Sequence, residues 1–399
     1  MKPVLFTIPF INWDIPGYGL MMMAGFMLSI WWAARRAAKS GANPDVLLNC
    51  GFVALIAGVV GCRTMYVIHY WDQFKYRGGF LDIAWAIIDV RKGGLEFYGG
   101  FILSVICVVL WLRLVERVSL RWYFDIIAPS AALGLAIGRV GCFLNGCCFG
   151  GVCNLPWHVS FPYGSSAQHA QWREKLPGAE LPKELLHTYP NGMTMPLTND
   201  VLKVSPERIA AAQAAEDKID AQYQAAQTEL ATASTPADKL ALERKLNGLS
   251  RKRILAKRQY AEIRANLRTY GISMEQLKAL AARHRSLPVH PTQVYSTITA
   301  LLVAFFLNAL YWRRSRDGQV IMALFLIEPV TRWLLEVIRA DNPVDTIHMF
   351  TISQFLALCM TVVGLVGLLL LRALPARSPR AEIWEPPEES ESGPLPAGG

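Results

Sequence analysis

The chain has 399 residues, is 53% hydrophobic and carries a formal net charge of +9. Its mean hydropathy is positive, which an ordinary soluble domain of this charge content does not reach, so a membrane protein is the first hypothesis. The basic excess does not by itself indicate nucleic acid, because the cytoplasmic loops of a membrane protein carry the same charge, and no nucleic-acid partner is expected.

The N-terminal stretch through Gly19 lacks a basic region, a short apolar core and a small-residue cleavage site in series, so the first span is expected to be retained. Runs long enough to cross about 30 Å of hydrocarbon lie near residues 15–34, 46–70, 94–112, 122–145, 292–312, 319–338 and 349–371. The fold class expected is all-α: a polytopic integral membrane protein with about seven transmembrane helices. Short loops holding Arg35, Arg36 and Lys39, then Arg113, Arg117 and Arg121, then Arg313, Arg314 and Arg316, then Arg372, Arg377 and Arg380 alternate with weaker ones. The positive-inside bias places the N-terminus outside and the C-terminus in the cytoplasm. Residues 71–92 conflict locally through Lys75, Arg77, Arg91 and Lys92, and their aromatics Trp71, Phe74, Tyr76, Phe80 and Trp85 suggest a segment lying along the interface.

Spans 1–4 occupy residues 1–154 and spans 5–7 occupy 290–375, with a polar extracytoplasmic insert, 155–289, between them. In the insert, Ser205 before Pro206, and Thr235 before Pro236 with Asp238 three residues on, mark two helix starts. Steps of three and four run through Ile209, Ala212, Glu216, Ile219, Tyr223, Ala226 and Leu230. They run again through Leu242, Leu246, Leu249, Arg253, Ala256, Tyr260, Ile263, Leu267 and Tyr270, up to Gly271. This predicts an antiparallel helical hairpin over about 205–271 with a coiled-coil seam. The hairpin reads as a solubilising decoration, with a docking surface as the alternative. The tail, 376–399, is rich in Pro, Glu, Ser and Gly and is expected to be disordered in the cytoplasm.

Eight cysteines occur, most in apolar stretches where a thiol is a small hydrophobe. Cys142, Cys147, Cys148 and Cys153 cluster in sequence, yet their spacing fits no standard zinc pair; neither a metal nor a cofactor is expected.

Arg63, Glu96, Asp125, Arg139, Glu328, Arg332 and Glu336 fall within or at the ends of spans. A charge at the bilayer centre costs roughly 2.5–3.5 kcal/mol on insertion scales, so such residues face the bundle interior and mark function. With the orientation above, Arg63, Tyr98, Arg139 and Arg332 come from four helices to one level in the outer half of the membrane, with Tyr18 at the outer start of the first. Arginine stays charged and grips phosphate through paired hydrogen bonds, so an anionic lipid headgroup is the natural guest. Glu328, Arg332 and Glu336, four apart, can equally form an intrahelical ion network, which is the preferred reading for the two glutamates. Asp125 reads as an ionic lock or cap. Gly93, Gly94, Gly99 and Gly100 surround Tyr98, and Gly138, Gly141, Gly146, Gly150 and Gly151 surround Arg139. Glycines there let helices approach closely or let backbone amides reach a ligand.

The stretch GRVGCFLNGCCFG (138–150), with GGLEFYGGF (93–101), HPTQVYS (290–296) and TRWLLEVIR (331–339) in this order, resembles the prolipoprotein diacylglyceryl transferase family. The resemblance covers all seven spans and leaves out the hairpin and the tail. It implies a bacterial inner-membrane enzyme that moves the diacylglyceryl group of phosphatidylglycerol onto the lipid-attachment cysteine of prolipoprotein signal peptides, releasing glycerol phosphate. By the same resemblance Arg139 and Arg332 are expected catalytic residues, Tyr18, Asn145, Gly150 and His290 are expected substrate contacts, and Gln293 and Tyr295 share the motif of His290. From the residues themselves, by depth and by the glycines beside it, Tyr98 joins the expected catalytic set, and Arg63, Gly99, Gly100 and Glu336 join the expected substrate contacts. Many members carry histidine where this chain has Tyr98, and asparagine where it has Cys142. The first departure leaves the proton acceptor unassigned.

The implied reaction is a displacement in which the cysteine thiolate attacks the diacylglycerol carbon bearing the phosphate ester. Two arginines nearby would favour the thiolate, whose free thiol has a pKa of about 8.5, and would stabilise the leaving phosphate. Two rivals predict arginines at this depth without the glycine-arginine signature: a nonenzymatic phospholipid-binding or lipid-translocating protein, and a membrane scaffold.

Overall fold

The computed structural model of the chain describes residues 4–8, 13–75, 79–89, 94–189, 191–232, 235–258, 260–341 and 351–385. Its helices are α1 (Gly17–Ser40), α2 (Pro44–His69), α3 (Phe80–Ile88), α4 (Phe97–Leu110), α5 (Leu120–Asn145), α6 (Ser166–Arg173), α7 (Asn199–Leu202), α8 (Pro206–Thr232), α9 (Pro236–Arg258), α10 (Ala261–Tyr270), α11 (Met274–Arg283), α12 (Thr292–Arg313), α13 (Gln319–Ile338) and α14 (Ile352–Ala373). A π-turn over Trp111–Val115 prolongs α4. Two short antiparallel pairs add to the helices, β1 (Val4–Ile8) with β2 (Trp13–Pro16), and β3 (Leu186–Thr188) with β4 (Thr194–Pro196). The chain forms two compact units, residues 2–144 with 292–399, and residues 145–291.

In the first unit six helices are long and apolar enough to cross a membrane: α1, α2, α4 with its π-turn, α5, α12 and α14. The 20-residue α13 is a seventh of spanning length, set apart from the six by Glu328, Arg332 and Glu336. The protein is a multi-pass, all-α membrane protein. Large apolar side chains point outward, among them Phe52, Ile56, Leu302, Phe305, Leu334 and Val337, as lipid contact requires, because burial from water does not drive helices together in a bilayer.

Small residues bring these helices together. A Cβ on Gly100 would lie 2.6 Å from the carbonyl oxygen of Gly58, and one on Gly99 would lie 2.5 Å from that of Gly61, so α2 and α4 meet backbone to backbone. On the other side, a Cβ on Gly25 would lie 3.2 Å from the oxygen of Gly134, which sets α1 against α5. The buried Arg36 of α1 ties three helices. It donates to Ile126 O (2.6 Å) and Ser130 Oγ (3.1 Å) on α5 and to Asn308 Oδ1 (2.9 and 3.1 Å) on α12.

Asp125 is a cap, but of a neighbouring helix. Its carboxylate accepts from the amides of Gly318 (2.7 Å), Val320 (2.9 Å) and Ile321 (2.9 Å) and pairs with Arg314 at 3.4 Å. It thereby satisfies the open donors at the start of α13. Residues 71–75 form a turn and residues 80–88 the short α3, which leaves Leu81, Trp85 and Ile88 exposed while Phe74 is buried against Val67 and Ala86. Tyr76, Arg77, Arg91 and Lys92 lie outside the described residues. Residues 376–385 are more ordered than their composition predicts, and residues 386–399 of the expected tail lie outside the described residues. The amide of Asp317 donates to Ala376 O (2.9 Å), Ser378 N to Asp317 Oδ2 (2.8 Å), and Trp384 N to Gly41 O (2.8 Å).

In the second unit the hairpin starts where Ser205 and Thr235 predict. Thr235 Oγ1 accepts from Asp238 N at 3.2 Å and bonds the Asp238 carboxylate in return. Arg253 of α9 donates to Asp220 of α8 at 2.5 Å and lies 4.9 Å from the ring centre of Tyr223, while Arg264 pairs with Glu216. The second arm is not continuous: Tyr260 adopts a left-handed φ of 54° and divides it into α9 and α10. The root of the hairpin belongs to a core rather than to a decoration, because Ile209 and Ile263 are buried with Tyr163, Leu185, Leu197 and Leu277. Asn266 fastens α10 to this core by donating to Glu184 O (2.9 Å) and Leu186 O (2.7 Å). Burial pushes the Tyr163 phenol up and the His169 imidazole down from their ordinary values.

Candidate active site

Arg139 lies six residues before the end of α5 and is half-buried. The packing of α1 on α5 fixes what surrounds it. A Cβ on Gly141 would lie 3.1 Å from Met21 Cβ and 3.3 Å from Tyr18 Cδ2, and one on Gly138 would lie 3.3 Å from Met22 Sδ. The two signature glycines flanking Arg139 therefore admit the first turn of α1, and Tyr18 rests on Gly141, about 3 Å along the axis from Arg139 at helical rise.

Arg332 comes from α13. Its Nη2 donates to Ser353 Oγ of α14 at 3.3 Å and lies 3.6 Å from Glu336 Oε2. Glu336 is buried and also accepts from Arg339 (3.3 Å) and from Thr351 Oγ1 (3.4 Å), the residue that caps α14. It holds Arg332 and Arg339 in place and presents little surface to a ligand. One turn below Arg332, the Glu328 carboxylate interacts electrostatically with Arg332 and Arg139 together. A narrow cleft lies between α5, α12 and α13, bordered by Leu135, Ser296, Thr299, Glu328, Thr331 and Arg332. The Arg332 guanidinium and the Glu328 carboxylate border this groove with hydroxyls on its wall, and Arg139 lies within electrostatic reach of the same carboxylate. Paired guanidinium groups of this kind can bind a phosphate.

The other predicted residues are not among those that border this cleft. Arg63 donates to Ile87 O (2.7 Å), Ala86 O (2.8 Å), Asp89 O (3.0 Å) and Gly94 O (2.9 Å). Nε and Nη2 thus bind carbonyls at the C-terminus of α3 while Nη1 binds Gly94 just before α4, so Arg63 acts as a cap that orders the approach to α4. Gly99 and Gly100 are consumed by the contact with α2. Tyr98, in the first turn of α4, is 38% exposed, packs edge-on against Phe97 and makes no side-chain hydrogen bond among the described residues. In the second unit, Asn145 is exposed, and Gly150 pairs with His290 through backbone bonds, Gly150 N to His290 O (3.1 Å) and His290 N to Gly151 O (3.0 Å). Gly146 and Cys148 take left-handed φ values of 76° and 58°. That tight turn explains the signature's glycine; for Cys148 the conformation is uncommon.

A family model described as prolipoprotein diacylglyceryl transferase matches residues 3–215 and 241–370. The chain belongs to the prolipoprotein diacylglyceryl transferase family. The gap in the match falls on the outer part of the hairpin, between the middle of α8 and the start of α9. Among relatives named phosphatidylglycerol–prolipoprotein diacylglyceryl transferase, that of Aliivibrio salmonicida is 39% identical over 168 residues, 41% of this chain and 56% of the relative. That of Proteus mirabilis is 35% identical over 191 residues, 46% and 60%. That of Rhodopirellula baltica is 36% identical over 159 residues, 39% and 32%. The matches therefore span between about a third and six-tenths of these relatives.

Sequence reasoning missed Ser296, Thr299 and Thr331, which border the cleft, and Ser353, which accepts from Arg332. Ser296 and Thr299 follow the HPTQ motif at helical spacing, three residues apart on one face of α12, and that periodicity was available in the sequence.

Proposed function

We propose that the protein transfers the diacylglyceryl group of phosphatidylglycerol to the thiol of a lipid-attachment cysteine in bacterial prolipoproteins, with glycerol phosphate as the leaving product. The observation that carries this reading is a cleft within the membrane unit bordered by Glu328 and Arg332, with Arg139 of a second helix in electrostatic reach of the same carboxylate. Family membership and the names of the relatives support it.

In this proposal the phosphodiester sits against Arg139 and Arg332, Tyr18 flanks the headgroup, and the acyl chains lie along α5, α12 and α13. The thiolate attacks the diacylglycerol carbon that bears the phosphate. A carbon–sulfur bond forms, the carbon–oxygen bond breaks, and negative charge gathers on the departing phosphate, where fixed guanidinium groups stabilise it most. Tyr98, with a reference pKa of about 10, is cast as a hydrogen-bond donor to the headgroup rather than as a base. The enzyme sits in the bacterial inner membrane with its N-terminus and insert outside and its C-terminus in the cytoplasm, as the loop charges favour.

The test uses purified protein, phosphatidylglycerol vesicles and a peptide bearing a lipid-attachment cysteine. A thioether-linked diacylglyceryl peptide and stoichiometric glycerol phosphate are expected. Movement of labelled lipid between leaflets without either product would replace the proposal with lipid translocation.

A further inference from the structure

The carboxylates of the membrane unit are mostly committed to holding helices. Asp125 accepts three backbone amides, Glu336 accepts from Arg339 and Thr351, Glu96 pairs with His69 at 2.9 Å, and Glu116 accepts from Asn49 (3.1 Å) and Trp111 (3.0 Å). Glu328 differs. Its side chain accepts no hydrogen bond among the described residues, it borders the cleft beside Ser296, Thr299 and Arg332, and it interacts electrostatically with Arg332 and Arg139.

We propose that Glu328 is the proton acceptor for the thiol that enters this cleft. The inference rests on the transferase reading and supplies the base that reading leaves open. Arginine cannot accept a proton at neutral pH, and the hydroxyls of Ser296, Thr299 and Thr331 are not bases. A phenol such as Tyr98 is protonated far above neutrality. A carboxylate can take up and return a proton, and with the two arginines in electrostatic reach the three groups together carry a net positive charge that attracts thiolate and phosphate alike. The step balances within the site. The thiol proton passes to a Glu328 oxygen, the sulfur forms its bond to carbon, and the carbon–oxygen bond releases glycerol phosphate with an additional negative charge. The proton then returns from Glu328 to the leaving phosphate, which restores the carboxylate.

The test measures single-turnover transfer to a cysteine peptide across pH for wild type, Glu328→Gln and Glu328→Asp, with phosphatidylglycerol retention on each purified protein as the check on folding and lipid binding. Glu328→Gln should lose about 100-fold at neutral pH, the usual scale for one general base. The deficit should shrink as pH approaches about 8.5, where the peptide thiol ionises unaided. A selenocysteine peptide, ionised already at neutral pH, should erase most of the deficit. Glu328→Asp should transfer more slowly but keep the wild-type pH profile, which keeps the test decisive if the glutamine variant does not fold. A deficit equal at every pH and for both peptides would show that Glu328 only positions the arginines, and a steep pH dependence in Glu328→Asp would also overturn the proposal. If wild type makes no thioether product, the transferase reading falls and this inference with it.

Discussion

The Glu336 carboxylate lies 3.3 Å from Nη1 of Arg339, three residues on along the same helix, and both side chains are almost wholly buried. With Arg332 on its other side at 3.6 Å, the glutamate faces two positive charges, and Arg339 also pairs with Asp341 at 2.9 Å. Removing one partner of a buried ion network weakens the compensation of the charges left behind, at a cost of up to about 3–5 kcal/mol. Glu336→Gln should therefore lower the thermal unfolding midpoint in detergent markedly and reduce transfer through misplacement of Arg332. An unchanged midpoint would mean that the network contributes little to holding α13 on α14.

Arg139 is expected to grip phosphate by geometry as well as by charge. Arg139→Lys keeps the charge and loses the planar fork, so transfer should fall at least about tenfold, equivalent to roughly 1.4 kcal/mol of barrier. Full activity in an Arg139→Gln protein that inserts normally would remove the phosphate clamp from the mechanism.

The spans were legible because apolar length is a strong signal, and even the charged α13 was readable from its 20 residues. The helix starts at Pro206 and Pro236 were legible because Ser and Thr before proline carry a local mechanism. What remained hidden depended on distant partners. Arg63 looked like a headgroup ligand, since nothing in its own span shows that α3 ends nearby with open carbonyls at Ala86, Ile87 and Asp89. The break at Tyr260 was invisible because the three-four periodicity runs through it into Ile263, which turns from the hairpin seam to the core of the second unit. Composition alone made residues 376–385 look disordered, whereas their order comes from Asp317 and Gly41, far away in sequence.

The proposed orientation is tested by labelling. In a cysteine-free background, single cysteines at the exposed positions Ala225 and Arg377 should behave oppositely with a membrane-impermeant reagent on intact spheroplasts. Ala225→Cys should react and Arg377→Cys should not until the membrane is opened. The reverse pattern would invert every depth assigned to the site.

The hairpin should separate into a dispensable outer part and an essential root. Replacing residues 213–255 by a short Gly/Ser linker should leave transfer to a peptide largely intact, whereas Ile263→Ala, which empties a fully buried core position, should destabilise the second unit by about 2–5 kcal/mol. The outer part also carries a pH signature. The hydrogen bond from Arg253 holds the Asp220 carboxyl below its ordinary value. A depressed folded-state pKa contributes stability above the unfolded value and loses it as pH falls through the folded one. Backbone exchange protection in α8 and α9 should therefore drop on acidification in the wild type and change less in Asp220→Asn, compared at each pH. Equal acid sensitivity would show that the pair is inert.

Tyr98 occupies the position where this chain departs from the family's commoner histidine, and its hydroxyl is accessible at the first turn of α4. An obligatory base there would make Tyr98→Phe inactive and Tyr98→His active, since imidazole has a reference pKa near 6.5. The proposed mechanism expects less. With Glu328 taking the thiol proton, loss of the hydroxyl removes one hydrogen bond to a charged phosphate, roughly 1.5–3 kcal/mol, which slows transfer by about 10- to 100-fold. That deficit should be the same at neutral and alkaline pH, in contrast to the one produced by Glu328→Gln. The two variants read together decide the assignment. If the Tyr98→Phe deficit closes on raising the pH while the Glu328→Gln deficit does not, the phenol and not the carboxylate takes the proton.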